Sequence, residues 1–336
     1  MRVALLALAC VACSSDAEPV KVAAAPARDA GPKHADAGPK PARIAAIGDV
    51  SYLSPENRRA FDPDDFTPMP DPPAPGDWLA EHPERPQTFA DFLNADTHVP
   101  TSNRNIIYVL PIGEFPATAP PLASLTAVMH AFFTLEIRIL PAMPLASMKV
   151  TTRINDATRQ RQLLAPEVLE VLAQKLPDDA FGLMGVTMAD LYPDPKWNFV
   201  YGMASFQERV GIQSFARQDP AFFGEPREPG WQQRLLRRAV WTMVHETTHM
   251  FGITHCTFWR CVIAGANNQT EAEQSPLHLC PVDLRKLQSS IGFDPAKREE
   301  AVAAVLHGLA IDDEAAWSTK RAKWIRDGTA PTSSSP

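Results

Sequence analysis

The stretch His245-Glu246-Thr247-Thr248-His249-Met250-Phe251-Gly252-Ile253-Thr254-His255 constrains this chain more than any other, because it reads H-E-x-x-H-x-x-G-x-x-H. Two histidines four residues apart lie one above the other on an α-helix, so both imidazoles can reach one metal ion. Glu246 adjoins the first histidine and can take a proton from a metal-activated water. Gly252 can adopt positive φ and end the helix in a sharp turn. That turn can bring His255 round as a third ligand. Three nitrogens and a water make an open, catalytic type of zinc site. Residue frequencies alone give a bare H-E-x-x-H in roughly one such chain in a hundred, and the added Gly and His lower this to about one in a hundred thousand. A polar patch on a surface helix is therefore the poorer account of these residues.

The chain has 336 residues, of which 45% are hydrophobic, enough for one large domain or two small ones with a sizeable core. Its net charge of −7 leaves no basic footprint, so nucleic acid is not an expected partner. The five cysteines form two groups. Cys10 and Cys13 belong to the leader, while Cys256, Cys261 and Cys280 follow the histidine stretch. An odd set of three beside a metal site reads better as ligands than as a disulfide framework.

Met1-Arg2 and the apolar run Val3 to Ala9 fit a secretory signal, being too short for a membrane-spanning helix. Val11-Ala12-Cys13 followed by Ser14-Ser15-Asp16 resembles a bacterial lipoprotein signal, with cleavage before Cys13 and lipid on its sulfur. Cys10 is the alternative processing site, and an ordinary cleaved signal without lipid is the other reading. The expected location is outside the cytoplasm, anchored to a bacterial membrane at the periplasm or cell surface. Residues 14–43 repeat an Asp-Ala-Gly-Pro-Lys theme and lack any apolar period, so they read as a disordered tether. Residues 44–102 hold many of the 33 prolines together with Trp78, Leu79, Phe89 and Phe92, which suggests an extension wrapped on the main domain.

Regular structure is expected from about residue 103. Ile106–Leu110, Leu135–Leu140, Ala180–Met188, Trp197–Gly202 and Gly211–Ala216 read as five strands, and residues 120–132 and 165–175 as helices. A long helix begins near Trp231 after Pro229-Gly230 and carries the histidines. Strands alternating with helices imply a largely parallel, helix-covered sheet. Residues 294–336 read as two helices, Asp294–His307 and Asp312–Arg326, then a Ser/Pro tail.

From about Arg104 to Phe293 the sequence resembles the archaemetzincins, zinc metallopeptidases of the metzincin clan. The likeness is carried by the histidine stretch and by His255-Cys256, Cys261-Val262-Ile263 and Leu279-Cys280-Pro281-Val282-Asp283-Leu284-Arg285-Lys286-Leu287. Upstream, Thr187-Met188-Ala189-Asp190-Leu191-Tyr192-Pro193, Trp197–Gly202 and Ser214–Arg217 add to it, as does Asp77–Pro83. The resemblance implies a mixed α/β metzincin fold over residues 103–293, with a twisted mixed five-stranded sheet, an active-site helix and a helical C-terminal part. It implies a peptide or protein substrate and a catalytic zinc on His245, His249 and His255, with Glu246 as general base. The segment holding Trp197, Phe199 and Tyr201 would be the antiparallel edge that pairs with substrate. Family members hold a second, structural zinc with four cysteines; here Cys256, Cys261 and Cys280 match and Asp283 stands fourth. A carboxylate is an acceptable zinc ligand, so a Cys3Asp site is a candidate. Ile263 stands where the family has a methionine beneath the zinc.

A monomer is expected. His130 reads as an ordinary helix histidine, and His278, Asp190 and Arg217 as structural. The rival to a peptidase is a weak or inactive zinc- and peptide-binding surface lipoprotein on the same fold, motivated by Ile263 and Asp283.

Overall fold

The computed structural model describes residues 8–10 and 42–328. Its elements in chain order are β1 (Leu8–Cys10), α1 (Arg43–Ile47), α2 (Pro55–Ala60), α3 (Trp78–Glu81), α4 (Phe89–Asn94), β2 (Ile106–Ile112), α5 (Leu122–Phe133) and β3 (Glu136–Ile139). Then come β4 (Thr152–Ile154), β5 (Arg161–Leu164), α6 (Ala165–Ala173), β6 (Ala180–Thr187), β7 (Asp190–Tyr192), β8 (Gly202–Ser205) and β9 (Val210–Ser214). The rest is helical: α7 (Trp231–His249), α8 (Gln269–Glu273), α9 (Pro281–Ile291), α10 (Pro295–Gly308) and α11 (Asp312–Asp327).

The main sheet runs β8-β9-β6-β2-β3, with the N-terminal segment β1 laid antiparallel along β8. β9, β6, β2 and β3 run parallel to one another, and only β8 reverses. Every residue of β2, β6 and β9 is buried, as a sheet covered on both faces requires. One face meets α5 and α7 through Phe133, Phe181, Met184, Met243 and Phe251. The other meets α6 through Leu110, Leu183, Ile212, Val168 and Leu172. Among the described residues no helix is long and apolar enough to cross a membrane.

Two strand expectations need correcting. β2 continues through Pro111 to Ile112. Proline is tolerated there because pairing with β3 has already ended at Val109↔Ile139, and the Pro111 carbonyl accepts from Met143 N at 2.8 Å. The expected strand Trp197–Gly202 is instead an extended segment with one bridge, Leu191↔Val200, and the edge strand proper starts at Gly202. Side chains take the place of a neighbouring strand here. The Arg153 guanidinium donates to the carbonyls of Trp197 and Asn198, and Gln162 Nε2 donates to Asn198 O at 2.9 Å. These donors come from a second, three-stranded sheet, β4-β5-β7, whose short polar strands have no apolar alternation to announce them.

Residues 44–102 form a strap whose helices α1 and α4 pack on α9 and whose α2 packs on α10 and α11. Arg285 of α9 passes under this strap, its guanidinium 4.0 Å from the Phe89 ring centroid and donating to Asp49 O at 2.7 Å. Thr88 and Asp91 cap α4 reciprocally. The C-terminal pair α10 and α11 packs on α5 and on α2, and Arg321 donates to the carbonyls of Arg59, Ala60, Asp62 and Asp64.

A buried ion pair ties the second sheet to the main one. Arg217 Nε and Nη2 each donate to Asp190 at 2.8 Å, and the guanidinium lies 3.7 Å from the Phe199 centroid. Asp190→Ala would strand a buried guanidinium, so we expect a destabilisation of about 3–5 kcal/mol. Denaturant unfolding measures it, and a loss below about 1 kcal/mol would mean that the pair contributes nothing to the core.

Candidate metal centre and active site

The second half of α7 is wholly buried from Ala239 to His249, braced on β8 and β9. The helix stops at His249, and Gly252, at φ +79°, turns the chain. A Cβ at Gly252 would come within 2.7 Å of Thr97 Cγ2, so glycine answers both the backbone and the close approach of the strap. His255 leaves this turn pointing back at the helix.

The three imidazoles are at most 2% exposed, and their ligand atoms all lie within 4.8 Å of one another. Each Nδ1 faces an oxygen that can only accept. His245 Nδ1 donates to Val262 O at 2.6 Å, His249 Nδ1 to Ile253 O at 2.7 Å, and His255 Nδ1 to Glu84 Oε1 at 2.7 Å. That fixes the tautomer and leaves every Nε2 with its lone pair. The Nε2 atoms of His245 and His249 face each other at 3.0 Å. Burial, then the neighbouring His249 and His255, hold His245 well below the usual imidazole range. Burial and His255 push His249 down to about 3. Converging lone pairs that resist protonation are the donor set a zinc ion takes.

Glu246 is fully buried, and neither carboxylate oxygen has a hydrogen-bond partner among the described residues. Burial alone pushes its carboxyl well above the ordinary range. A bound cation beside it would reverse that trend and supply the missing electrostatic partner. Gly202, the first residue of β8, lets the carboxylate lie against the edge strand, since a Cβ there would meet Glu246 Oε1 at 2.5 Å.

The expected substrate-edge residues divide. Trp197 is half-buried and stacks on His82 at 5.6 Å between ring centroids. Phe199 turns into the core beneath Arg217, which removes it from any substrate face. Tyr201 is buried edge-on to Phe199 and directly precedes Gly202. His130 Nδ1 donates to Leu135 O at the end of α5, and His278 stacks on Trp317 at 3.5 Å and bonds Glu314, so both are structural.

The second cluster forms behind the first. Cys256, Cys261, Cys280 and Asp283 are all buried, with their ligand atoms within 4.8 Å. Cys280 is the N-cap of α9 and Asp283 lies in its first turn, where three-residue spacing puts them side by side. All three cysteines are free, and the Cys256–Cys280 sulfur separation of 3.5 Å is far beyond a disulfide bond. Asp283 Oδ2 approaches Cys280 Sγ at 3.0 Å and Cys261 Sγ at 3.6 Å, while Oδ1 accepts from buried Lys286 Nζ at 2.8 Å. Burial and Cys256 push the Asp283 carboxyl up to about 7 against the pull of Lys286. The same four donors fit a tetrahedral zinc, with Lys286 offsetting part of the anionic charge. The two clusters share a loop: Cys256 N donates to Ile263 O at 3.0 Å, and Val262 O is the acceptor for His245. Ile263 is fully buried.

Residues 139–289 match the model of peptidase family M54. Archaemetzincin-2 of Pongo abelii is 35% identical over 269 residues, covering 72% of this chain and 73% of that protein. This chain belongs to the archaemetzincin family. It is thus a zinc metallopeptidase by family. Human archaemetzincin-2 matches over the same shares at 35% identity, and human archaemetzincin-1 at 32% over 65% of this chain and 49% of its own length. The crystal structure of the Archaeoglobus fulgidus archaemetzincin overlays on 54% of this chain and 99% of its own, at 24% identity and TM-score 0.41. The sequence relatives carry the assignment.

The two residue groups that the sequence singles out come together in the structure, while their hydrogen-bond partners carry no sequence signal of their own. Glu84 lies 171 positions from His255, and no local pattern marks it. Lys286 lies three residues from Asp283, and only that helical spacing marks it. Gly202→Ala should push Glu246 aside and reduce peptide hydrolysis by at least tenfold while zinc content stays at the parental level. Unchanged turnover would show that the carboxylate does not depend on the edge strand.

Proposed function

We propose that this archaemetzincin hydrolyses peptide bonds at the three-histidine centre, with Glu246 as general base. The observation that carries this reading is the buried, unpartnered Glu246 carboxylate beside three imidazoles of fixed tautomer. An unpaired buried carboxylate costs stability, and a protein that only bound zinc or peptide would have no use for it. That weighs against the rival reading of an inactive peptide-binding lipoprotein.

His245, His249 and His255 would hold the zinc, which when bound supplies Lewis-acid polarisation of the scissile carbonyl and acidifies the attacking water. Glu246 takes that water's proton and delivers it to the departing amine. An extended peptide would pair with β8, whose outer edge accepts an antiparallel strand from residues 8–10 at Leu8↔Ala204 and Cys10↔Gly202, a place that cleavage before Cys13 would leave open. Main-chain pairing holds a peptide without demanding one side chain. It also sets the scissile bond near Gly202 and the carboxylate packed on it. Ile263 keeps an apolar floor of similar volume to methionine.

Cys256, Cys261, Cys280 and Asp283 would hold a second, structural zinc that staples the loop carrying Val262 and Cys256. Location is a separate proposal. The lipoprotein-like leader, with lipid on Cys13, would place the enzyme outside the cytoplasm on a membrane. Cys13 lies outside the described residues.

Glu246→Gln should keep zinc and lower peptide hydrolysis by roughly 100- to 10,000-fold; cleavage of a broad peptide library at the parental rate would end the proposal. Metal analysis should give two zinc ions per chain, falling to one in Asp283→Ala. One zinc in both would sink the second site. Cys13→Ala should move the protein from the membrane to the soluble fraction.

A further inference from the structure

The third ligand, His255, is held differently from the other two. His245 and His249 are fixed by the backbone of α7 and by carbonyls of neighbouring loops. His255 follows the turn at Gly252, and the groups that fix that turn belong to the N-terminal strap. Glu84 Oε1 accepts from His255 Nδ1 at 2.7 Å and also from Trp78 Nε1 at 2.7 Å. The Trp78 ring lies edge-on to the His255 ring at 5.4 Å between centroids. Gln87 grips the turn itself: its Nε2 donates to Gly252 O at 3.0 Å, and its Oε1 accepts from Thr254 N at 3.2 Å. Thr97 packs against the Cα of Gly252.

Trp78 is seated as firmly as the histidine it supports. Its backbone N–H donates to Glu271 Oε1 at 2.7 Å. Gly265, just beyond Ile263, gives its ring room, since a Cβ there would come within 2.4 Å of Trp78 Cδ1. The Trp78 ring lies tilted against His82 at 4.2 Å between centroids, and His82 stacks on Trp197. The strap thus touches the third ligand, the turn that carries it and the segment leading to the edge strand.

We propose that Glu84 is a positioning residue of the catalytic metal centre, and that the strap from Gly76 to Thr97 is a permanent part of that centre rather than a removable propeptide. This rests on the three-histidine reading above. An ionised carboxylate on Nδ1–H orients the ring, fixes its tautomer and makes Nε2 a better electron donor; loss of such a partner lowers metal affinity by roughly 10- to 100-fold. A strap that only covered the surface would leave the metal indifferent to its loss.

The test uses the full chain and follows the zinc whose loss His245→Ala reports, by competition with a chromogenic chelator. Glu84→Ala should release that zinc roughly 10- to 100-fold more readily. Glu84→Gln, which keeps the shape and an oxygen acceptor but not the charge, should fall between Glu84→Ala and the parent and guards against misfolding of the alanine variant. Lys175→Ala, at an exposed residue outside the strap, should change nothing. The cobalt-substituted protein should show a shifted ligand-field band in both Glu84 variants. A Glu84→Ala chain that unfolds earlier when metal-free but holds zinc like the parent overturns this inference alone. Zinc binding indifferent to His245→Ala overturns it together with the three-histidine reading.

Discussion

Everything in this molecule turns on three imidazole nitrogens brought together out of water. Each ring has its Nδ1 hydrogen committed to a carbonyl or carboxylate oxygen, so the facing Nε2 atoms present only lone pairs. Such an arrangement is repulsive by itself and becomes favourable with a cation at its centre. The fold supplies the rigidity to hold it: a helix buried around its whole circumference, two faces of a parallel sheet covered, and a loop pinned at both ends of Cys256–Ile263. Stability is thereby concentrated where the protein least tolerates movement.

The supports are layered, and they come from parts of the chain far apart in sequence. Helix α7 sets two ligands and the carboxylate. The loop behind them offers Val262 O to the first histidine, and the sulfur and carboxylate cluster closes that loop from the other side. The strap meets the third histidine from outside. The second sheet uses arginine and glutamine side chains to hold the approach to β8, doing with side chains what a paired strand would do with backbone. Ile263 and Asp283, the two departures from the family pattern, both sit fully buried in this support and not among the three histidines.

Much of the site was legible in the sequence because its spacing is local. His245 and His249 are about one helical turn apart, His255 follows the turn at Gly252, and Cys280 caps the helix whose first turn holds Asp283. The five-strand count and the two C-terminal helices also followed from apolar period. What was not legible depends on contacts across long separations or on side chains acting for backbone. Phe199 looked like part of an exposed edge, but Arg217 draws it inward. The strands β4, β5 and β7 are too short and polar to show a period. Glu84 sits in a proline-rich segment, His82-Pro83-Glu84-Arg85-Pro86, whose composition suggests a wrapping segment and gives no hint that it reaches a metal ligand.

The grip of Arg321 on the carbonyls of residues 59–64 spans more than 250 positions of chain. It joins the last helix to the start of the strap, so the two ends of the folded part are fastened to each other. Contacts of such long sequence separation form late, because the intervening loop must close first. During synthesis the histidine helix is therefore complete some seventy residues before the end of the strap's anchorage exists. Until the last described helix is made, residues 59–64 have no partner for these carbonyls on that helix, and the two ends of the folded part stay unfastened.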